Sequence, residues 1–199
     1  LTTFYSCMYR VFLFPHKAYE PGENGFVHYS PIDDSVKPGV RYTDCGFWDT
    51  YRTTYPLFAL IAKEEYRSFA EGFVNDYRDS GWLPRWTSGN YKNCMPSTLF
   101  DAVIAHGAAC GIITGELLET AFSAMEKQAN EVSLHPAFGR LGCLEYKSLG
   151  YVPRDKYRES VNLTLDASYC DWCVGTVAKI LGKDRLAEEY FGRSGNYRS

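Results

Sequence analysis

Apolar side chains recur along most of this chain at the three-to-four-residue spacing of amphipathic helices. The pattern is clearest between residues 63 and 80, where charged side chains fill the opposite face and Gly81 follows as a helix terminator. Comparable patterns predict helices at about 2–14, 48–62 and 97–111, from about 116, at 160–182 and from 184. Within the second of these, we expect Pro56 to kink or break the helix.

The predicted helices are joined by connections of two kinds. Tight connections follow residues 62, 111 and 182, whereas residues 15–47, 82–96 and 130–159 form long connections rich in Gly, Pro and aromatic residues. Tight and long loops lie at opposite ends of stacked antiparallel helix pairs. The sequence therefore predicts an all-α array of helix hairpins, with the long loops gathered at one end where binding and catalysis occur.

Composition narrows the class of protein. A chain of 199 residues with 45% hydrophobic and 23% charged residues is typical of a globular domain. A net charge of −3 argues against nucleic acid as a partner. The longest apolar runs fall far short of the roughly 18 residues that a membrane helix needs, so no membrane span is predicted.

Aromatic residues and cysteines add two further expectations. Aromatic residues make up 16% of the chain, more than a helical core normally needs, and carbohydrate clefts use such rings to stack against the apolar faces of sugars. The 7 cysteines are odd in number and scattered among apolar residues, which is typical of buried free thiols and favours a reducing compartment such as the cytoplasm.

Two clusters carry candidate binding chemistry. In residues 42–53, Asp49 lies near a predicted helix start, where the helix dipole favours a carboxylate. The alternative is that Asp44 or Asp49 only caps the helix and pairs with Arg52. In residues 81–86, Arg85 stands between two tryptophans, an arrangement that suits a sugar subsite, although a cation–π brace for the loop is the alternative.

A third cluster and the metal signals are weaker. Glu159 and Asp171 fall at the start and inside a predicted helix, which favours capping and pairing over catalysis. Cys170 and Cys173 form a single C-x-x-C inside that helix without a second pair, so a structural zinc site is not predicted. The sequence also lacks a phosphate-binding glycine motif.

Several motifs together resemble the α-mannosidases of glycoside hydrolase family 92. They are T-F-Y at 3–5, Y-R at 9–10, P-H at 15–16, Y-T-D at 42–44, W-D-T-Y-R-T at 48–53, G-W-L-P-R-W at 81–86, N-C-M at 93–95, L-G-Y-V-P at 149–153, E-S-V at 159–161, T-L at 164–165, D-W-C at 171–173, A-K at 178–179 and L-G at 181–182. Their order and separation extend the resemblance over essentially the whole chain. The sequence opens at Leu1 without a methionine, and we expect it to be a segment of a longer protein.

The resemblance implies a β-sandwich followed by an (α/α)6 toroid that removes terminal mannose from α-mannosides with inversion, using calcium. Residues 1–199 would then form about half of the toroid, without the β-sandwich and the C-terminal half. The linkage expected is α-1,2, with α-mannosides or N-glycans as substrates. A secreted or periplasmic location is also compatible with the family.

The resemblance also implies roles for particular residues. The positions expected to line the mannose subsite are Trp48, Asp49, Arg85, Trp86, Asn93 and Cys94. The family places its catalytic acid in an E-G-N-x-W-Q string and its base before G-Q-M-S-A-W, and its N-E-P segment contacts metal and sugar. None of these strings occurs here, so no catalytic residue or calcium ligand is expected in this chain, and the isolated chain is expected to be inactive.

The sequence departs from the family pattern at several positions, and two other functions are compatible with it. Ser97-Thr98-Leu99 replaces a Gly-Asp-His run, and Leu163 and Asp166 replace Arg and Glu, which indicates a distinct subgroup. The chain could instead be a noncatalytic sugar-binding helical module, or a structural repeat whose aromatic residues form the core. An incomplete toroid would expose an apolar face, and we expect self-association through it.

Overall fold

The computed structural model describes residues 1–198, and helices account for most of them. A short 3-10 turn at Gly195–Arg198 ends the described chain. The nine α-helices within this part of the chain are α1 (Thr2–Val11), α2 (Phe47–Thr50), α3 (Thr54–Ile61), α4 (Lys63–Ser80), α5 (Phe100–Ala109), α6 (Gly115–Asn130), α7 (Cys143–Leu149), α8 (Ser160–Ile180) and α9 (Asp184–Ser194).

The long amphipathic patterns predicted their helices well, and the shorter ones less so. Helix α4 ends at Gly81, whose φ of 76° is the left-handed conformation that glycine adopts readily. The predicted helix at 48–62 is broken at residues 51–53 rather than at Pro56. Pro56 lies in the first turn of α3, where its missing N–H is not needed. Helix α7 was not predicted, because only seven residues separate its two flanking glycines.

The all-α prediction is confirmed only in part: helices dominate the fold, but eight short strands form three antiparallel sheets within residues 1–198. Strand β1 (His16–Lys17) pairs with β5 (Tyr42–Thr43). Strands β2 (Tyr19–Gly22), β3 (Gly25–Ser30) and β4 (Ser35–Pro38) form a meander. Strands β6 (Cys45–Gly46), β7 (Trp86–Ser88) and β8 (Asn90–Tyr91) form the third sheet.

All three sheets lie in the long connections, and their shortness explains why sequence pattern missed them. A strand of two residues is too short to show the alternation that identifies a strand, and β2 and β4 have no fully buried residue. One of these short pairings determines where the candidate binding residues lie. By pairing with β7, β6 fixes residues 45–46 against residues 86–87, which belong to the two main candidate clusters.

One hydrophobic core joins helices α3 to α6 with α8 and α9. Much of the aromatic surplus lies in this core rather than in a cleft, including Tyr66, Phe47, Phe73 and Phe100. Edge-to-face pairs such as Phe47 with Phe73 fill it. Helix α1, in contrast, has no fully buried residue. Among residues 1–198, no helix is both long and apolar enough to cross a membrane.

A buried ionic network ties four of these helices together. Arg140 donates to Asp171 on α8 at 2.6 Å and lies 3.5 Å from Asp101 on α5. Gln128 on α6 donates to Asp101 at 2.7 Å, and Arg193 on α9 lies 2.8 Å from Asp171. Asp171 is therefore an ion-pair partner inside the fold, as its position within a helix predicted.

Removing the central cation should destabilise the fold strongly. Arg140→Met leaves Asp101 and Asp171 buried without their shared partner, which should lower the free energy of unfolding by about 3–5 kcal/mol in urea titrations. Lys179→Met is the matched control, since the pair of Lys179 with Asp184 is more than half exposed on both sides. Equal loss in both variants would contradict the importance of the network.

Candidate functional site

The pairing of β6 with β7 builds a cavity of about 620 Å³ on the side of the long loops. This volume lies in the usual range for small-molecule sites. Its wall is mostly apolar, with a few polar groups placed among aromatic rings. The polar lining residues include His16, Asp44, Asp49, Thr50 and Ser88, and the apolar ones include Phe14, Tyr55, Phe58 and Trp86.

Close packing of Trp86 on Gly46 shapes this cavity. A methyl group on Gly46 would overlap the six-membered ring of Trp86, so the indole lies directly against the backbone of β6. Because these two residues are register partners, the ring is fixed by the sheet itself. Trp86 therefore presents a rigid apolar surface to the cavity, the kind on which a sugar ring stacks.

Asp49 is exposed at the cavity and does not cap helix α2, because Gly46 is the N-cap and no side chain makes a capping hydrogen bond there. Arg52 does not pair with Asp49 or Asp44 in the described structure. Its guanidinium instead lies 4.9 Å from the ring centre of Tyr51 and donates to that residue's hydroxyl at 2.7 Å. The capping alternative is thus wrong for α2, and the Asp49 carboxylate faces the cavity without a competing cation.

His16 belongs to this cavity, although in the sequence it was noted only as part of the P-H pair in the family resemblance and was assigned no role. Its Nδ1 lies 2.9 Å from Asp44, and the hydroxyl of Ser88 donates to the other oxygen of Asp44 at 3.0 Å. The contact arises because β1 pairs with β5, which brings His16 opposite Thr43. The sheet register, which the sequence does not show, brings His16 to Asp44.

Arg85 has a different environment from the one its tryptophan neighbours suggested. It is buried and donates to Asn93 at 2.6 Å and to the carbonyls of Pro136 and Ala137. Burial lowers the pKa of its guanidinium. The cation–π brace is not observed at Arg85, since Lys127 rather than Arg85 lies over Trp82, at 4.7 Å. Arg85 thus joins two long loops and orients Asn93.

Arg85 and Asn93 line a second cleft, which continues past Met95 and Pro96 to Trp48. Arg158 and Glu159 line both of its parts, and Glu159 makes no capping hydrogen bond to α8. The six residues predicted to line one mannose subsite therefore lie at two separate places. Asp49 and Trp86 lie at the first cavity, Trp48, Arg85 and Asn93 line the second cleft, and Cys94 is half-buried next to Asn93.

The backbone beside the second cleft is strained at two residues. Met95 and Ser97 have φ of 54° and 72°, a left-handed conformation that costs free energy for residues other than glycine and concentrates at functional sites. Ser97 donates to Asp166 at 2.8 Å, and burial raises the pKa of that carboxyl. Ser97 and Asp166 are two positions at which the resemblance implied other residue types, and the structure brings these two positions into contact.

The described residues do not fit a calcium ion. Within residues 1–198, no group of three or more His, Cys, Asp or Glu side chains is arranged to hold a metal. Cys170 and Cys173 are both buried in α8. The thiol of Cys45, in the wall of the first cavity, has its pKa raised to about 12 by burial. This thiol is therefore protonated near neutral pH and is a packing group.

Comparisons with a family model and with solved structures point to the same family. The model of the glycosyl hydrolase family 92 catalytic domain matches residues 1–199. A family 92 inverting mannosidase from Bacteroides thetaiotaomicron VPI-5482 is 38% identical with a TM-score of 0.92, over 98% of this chain and 27% of that protein. A family 92 α-mannosidase from Bacteroides thetaiotaomicron is 30% identical with a TM-score of 0.86, over 98% of this chain and 26% of that protein.

A fungal protein is also similar to this chain in sequence. An uncharacterized secreted glycosidase of Arthroderma benhamiae is 32% identical over 148 residues, which is 69% of this chain and 19% of that protein. This chain therefore spans about a quarter or less of the length of these relatives.

The contact of Gly46 with Trp86 gives a test of the cavity. Gly46→Ala forces the indole away from β6, and overpacking of this kind should lower the free energy of unfolding by about 1–3 kcal/mol and shift tryptophan fluorescence. Gly192→Ala is the control, because a methyl group there meets nothing within 4 Å on an exposed helix. Unchanged stability and emission in Gly46→Ala would show that the indole is not held by this contact.

Proposed function

Because the chain belongs to glycosyl hydrolase family 92, as part of its catalytic domain, we propose that it is a segment of an inverting exo-α-mannosidase. The parent enzyme would hydrolyse terminal mannose from α-mannosides or N-glycans, with α-1,2 as the linkage. The observation that carries this proposal is the first cavity, where the exposed carboxylate of Asp49 shares a wall with the fixed indole of Trp86.

This cavity suits one sugar residue at the end of a chain. The apolar C–H face of the ring would stack on Trp86, and a ring hydroxyl would donate to Asp49. A hydrogen bond to a charged acceptor is stronger than one between neutral groups. In the second cleft, Asn93 and Trp48 would contact the remainder of the glycan, while Arg85 acts indirectly by orienting Asn93.

We assign the chemical step to other segments of the parent. Inversion needs one carboxylic acid at the leaving oxygen and one carboxylate that activates water from the opposite face. The motifs that would supply this pair do not occur between Leu1 and Ser199. In the proposal, residues 1–199 bind and orient the sugar, and the calcium that the family implies is held elsewhere.

The helix arrangement supports a place in an (α/α)6 toroid, of which this chain would be about half. Helix pairs joined by tight turns, such as α3 with α4 and α5 with α6, alternate with long loops. Helix α1 exposes Phe4, Tyr5 and Tyr9. We infer that further toroid helices of the parent cover this face.

The isolated chain should bind mannose and release none. Asp49→Asn keeps the side-chain volume but removes the charge, so affinity for methyl α-mannoside in calorimetric titrations should fall at least about tenfold. Asp33→Asn is the control, because Asp33 lies on the exposed turn between β3 and β4.

Each outcome of this experiment discriminates between functions. Equal affinity in wild type and Asp49→Asn would remove Asp49 from the sugar site. Mannose release from an α-linked mannobiose by the isolated chain would overturn the assignment of catalysis to other segments. Sugar binding by a longer parent protein that hydrolyses nothing would favour the alternative, a noncatalytic carbohydrate-binding module.

Exposed aromatic residues on α1 should make the isolated chain self-associate. Light scattering at increasing concentration should show a mass above 22.6 kDa, and Tyr9→Lys should return it towards the monomer value. Phe26→Lys serves as the control, since Phe26 is half-exposed on β3, away from α1. A monomeric wild type at high concentration would refute this expectation.

A further inference from the structure

Three side chains from separate segments form a hydrogen-bonded relay at the edge of the first cavity. The Nδ1 of His16 lies 2.9 Å from Asp44 Oδ2, and the Ser88 hydroxyl donates to Asp44 Oδ1 at 3.0 Å. All three residues line the cavity together with Asp49. The function proposed above uses Asp49 and Trp86 and leaves this relay without a role.

The partners of Asp44 fix the protonation pattern of the imidazole. An ionised carboxylate only accepts hydrogen bonds, so the proton of a neutral His16 ring must be on Nδ1. Its Nε2 then carries a lone pair and no proton. A carboxylate that orients a histidine in this way determines what the outer nitrogen can bind. In the neutral ring, His16 Nε2 is consequently a hydrogen-bond acceptor.

The relay is held by backbone structure on each side. Asp44 lies between β5 and β6 with a φ of 59°, a conformation that Asp and Asn tolerate better than other non-glycine residues. Thr43 accepts a hydrogen bond from the backbone N–H of Gly89 at 2.7 Å, which fixes the Ser88 turn beside it. The ring of Phe14 packs against His16 with centroids 4.8 Å apart.

Carboxylates and hydroxyls make up most of the polar lining of the first cavity. Among the described residues that line it there is no Lys or Arg, whereas Asp44 and Asp49 contribute two carboxylates. The second cleft differs, because Arg85 and Arg158 line it. An acceptor-rich cavity favours a ligand whose hydroxyls donate, and it repels a ligand that carries negative charge.

We propose that His16, oriented by Asp44, determines specificity in this cavity by accepting a hydrogen bond at Nε2 from a hydroxyl of a neutral sugar, and that the cavity rejects sugars bearing phosphate or carboxylate. His16 is the binding residue, and Asp44 is a positioning residue that acts through it. The inference rests on the proposed function, since it concerns the same sugar cavity.

The test combines nitrogen NMR of the histidines with titration of methyl α-mannoside into the 199-residue chain. Asp44→Asn keeps the backbone conformation but offers an amide that can donate to Nδ1, so the His16 proton moves to Nε2 and the acceptor is lost. We expect the ¹⁵N shifts of His16 to show this exchange of tautomer. Affinity should fall at least tenfold in Asp44→Asn and in His16→Phe.

Two further variants separate recognition from structure. His16→Gln places an amide oxygen near the position of Nε2 and should restore part of the affinity lost in His16→Phe. His135→Gln, a histidine in the loop after α6 and outside the first cavity's lining, should bind as wild type. Mannose 6-phosphate should bind wild type at least tenfold more weakly than methyl α-mannoside does.

The outcomes distinguish this inference from the proposed function. If wild type binds methyl α-mannoside and both Asp44→Asn and His16→Phe bind it equally well, the role of His16 is overturned while the sugar site stands. If mannose 6-phosphate binds as tightly as the neutral sugar, the charge selectivity is overturned. If folded wild type binds neither sugar, the proposed sugar site fails and the inference fails with it.

Discussion

The structure depends on Arg140, a buried cation placed between the carboxylates of Asp101 and Asp171. Without Arg140, Asp101 would lose its cationic partner and Asp171 would keep only Arg193, and the helices that carry the two carboxylates would lose their shared contact. The loop that carries Arg140 also contacts the second cleft, because Arg85 donates to the carbonyls of Pro136 and Ala137 in that loop. The helix core and the second cleft are thereby fixed to one another through a loop that has no helix or strand at those positions.

Sequence pattern predicted the parts of the fold that repeat and missed those that depend on distant contacts. Helices α4 and α8 were found because each shows several turns of the same spacing. The two-residue strands have no such signal, so the register that brings His16 to Asp44 could not be predicted. Arg85 illustrates the same limit, since its flanking tryptophans suggested a sugar contact while the two carbonyls that it binds lie some fifty residues away.

The two cavities differ in chemistry although one chain segment, residues 85–96, borders both. The first combines carboxylates with the indole of Trp86, and the second combines arginines with Trp48 and Asn93. If the chain binds a glycan as proposed above, such a division would give different parts of that glycan different requirements. The contact of Ser97 with Asp166 lies beside the second cleft, where it connects the loop before α5 to α8.

Helix α1 is only weakly packed against the rest of the fold, and this affects the first cavity next to it. It is ten residues long and none of them is fully buried, so little tertiary packing adds to its own hydrogen bonds. Isolated helices of this length are marginal in water. Phe14 and His16 follow α1 directly and form part of the first cavity. Local unfolding of α1 therefore loosens one wall of that cavity, and any surface that covers α1 also lowers the entropy lost when the cavity binds its ligand.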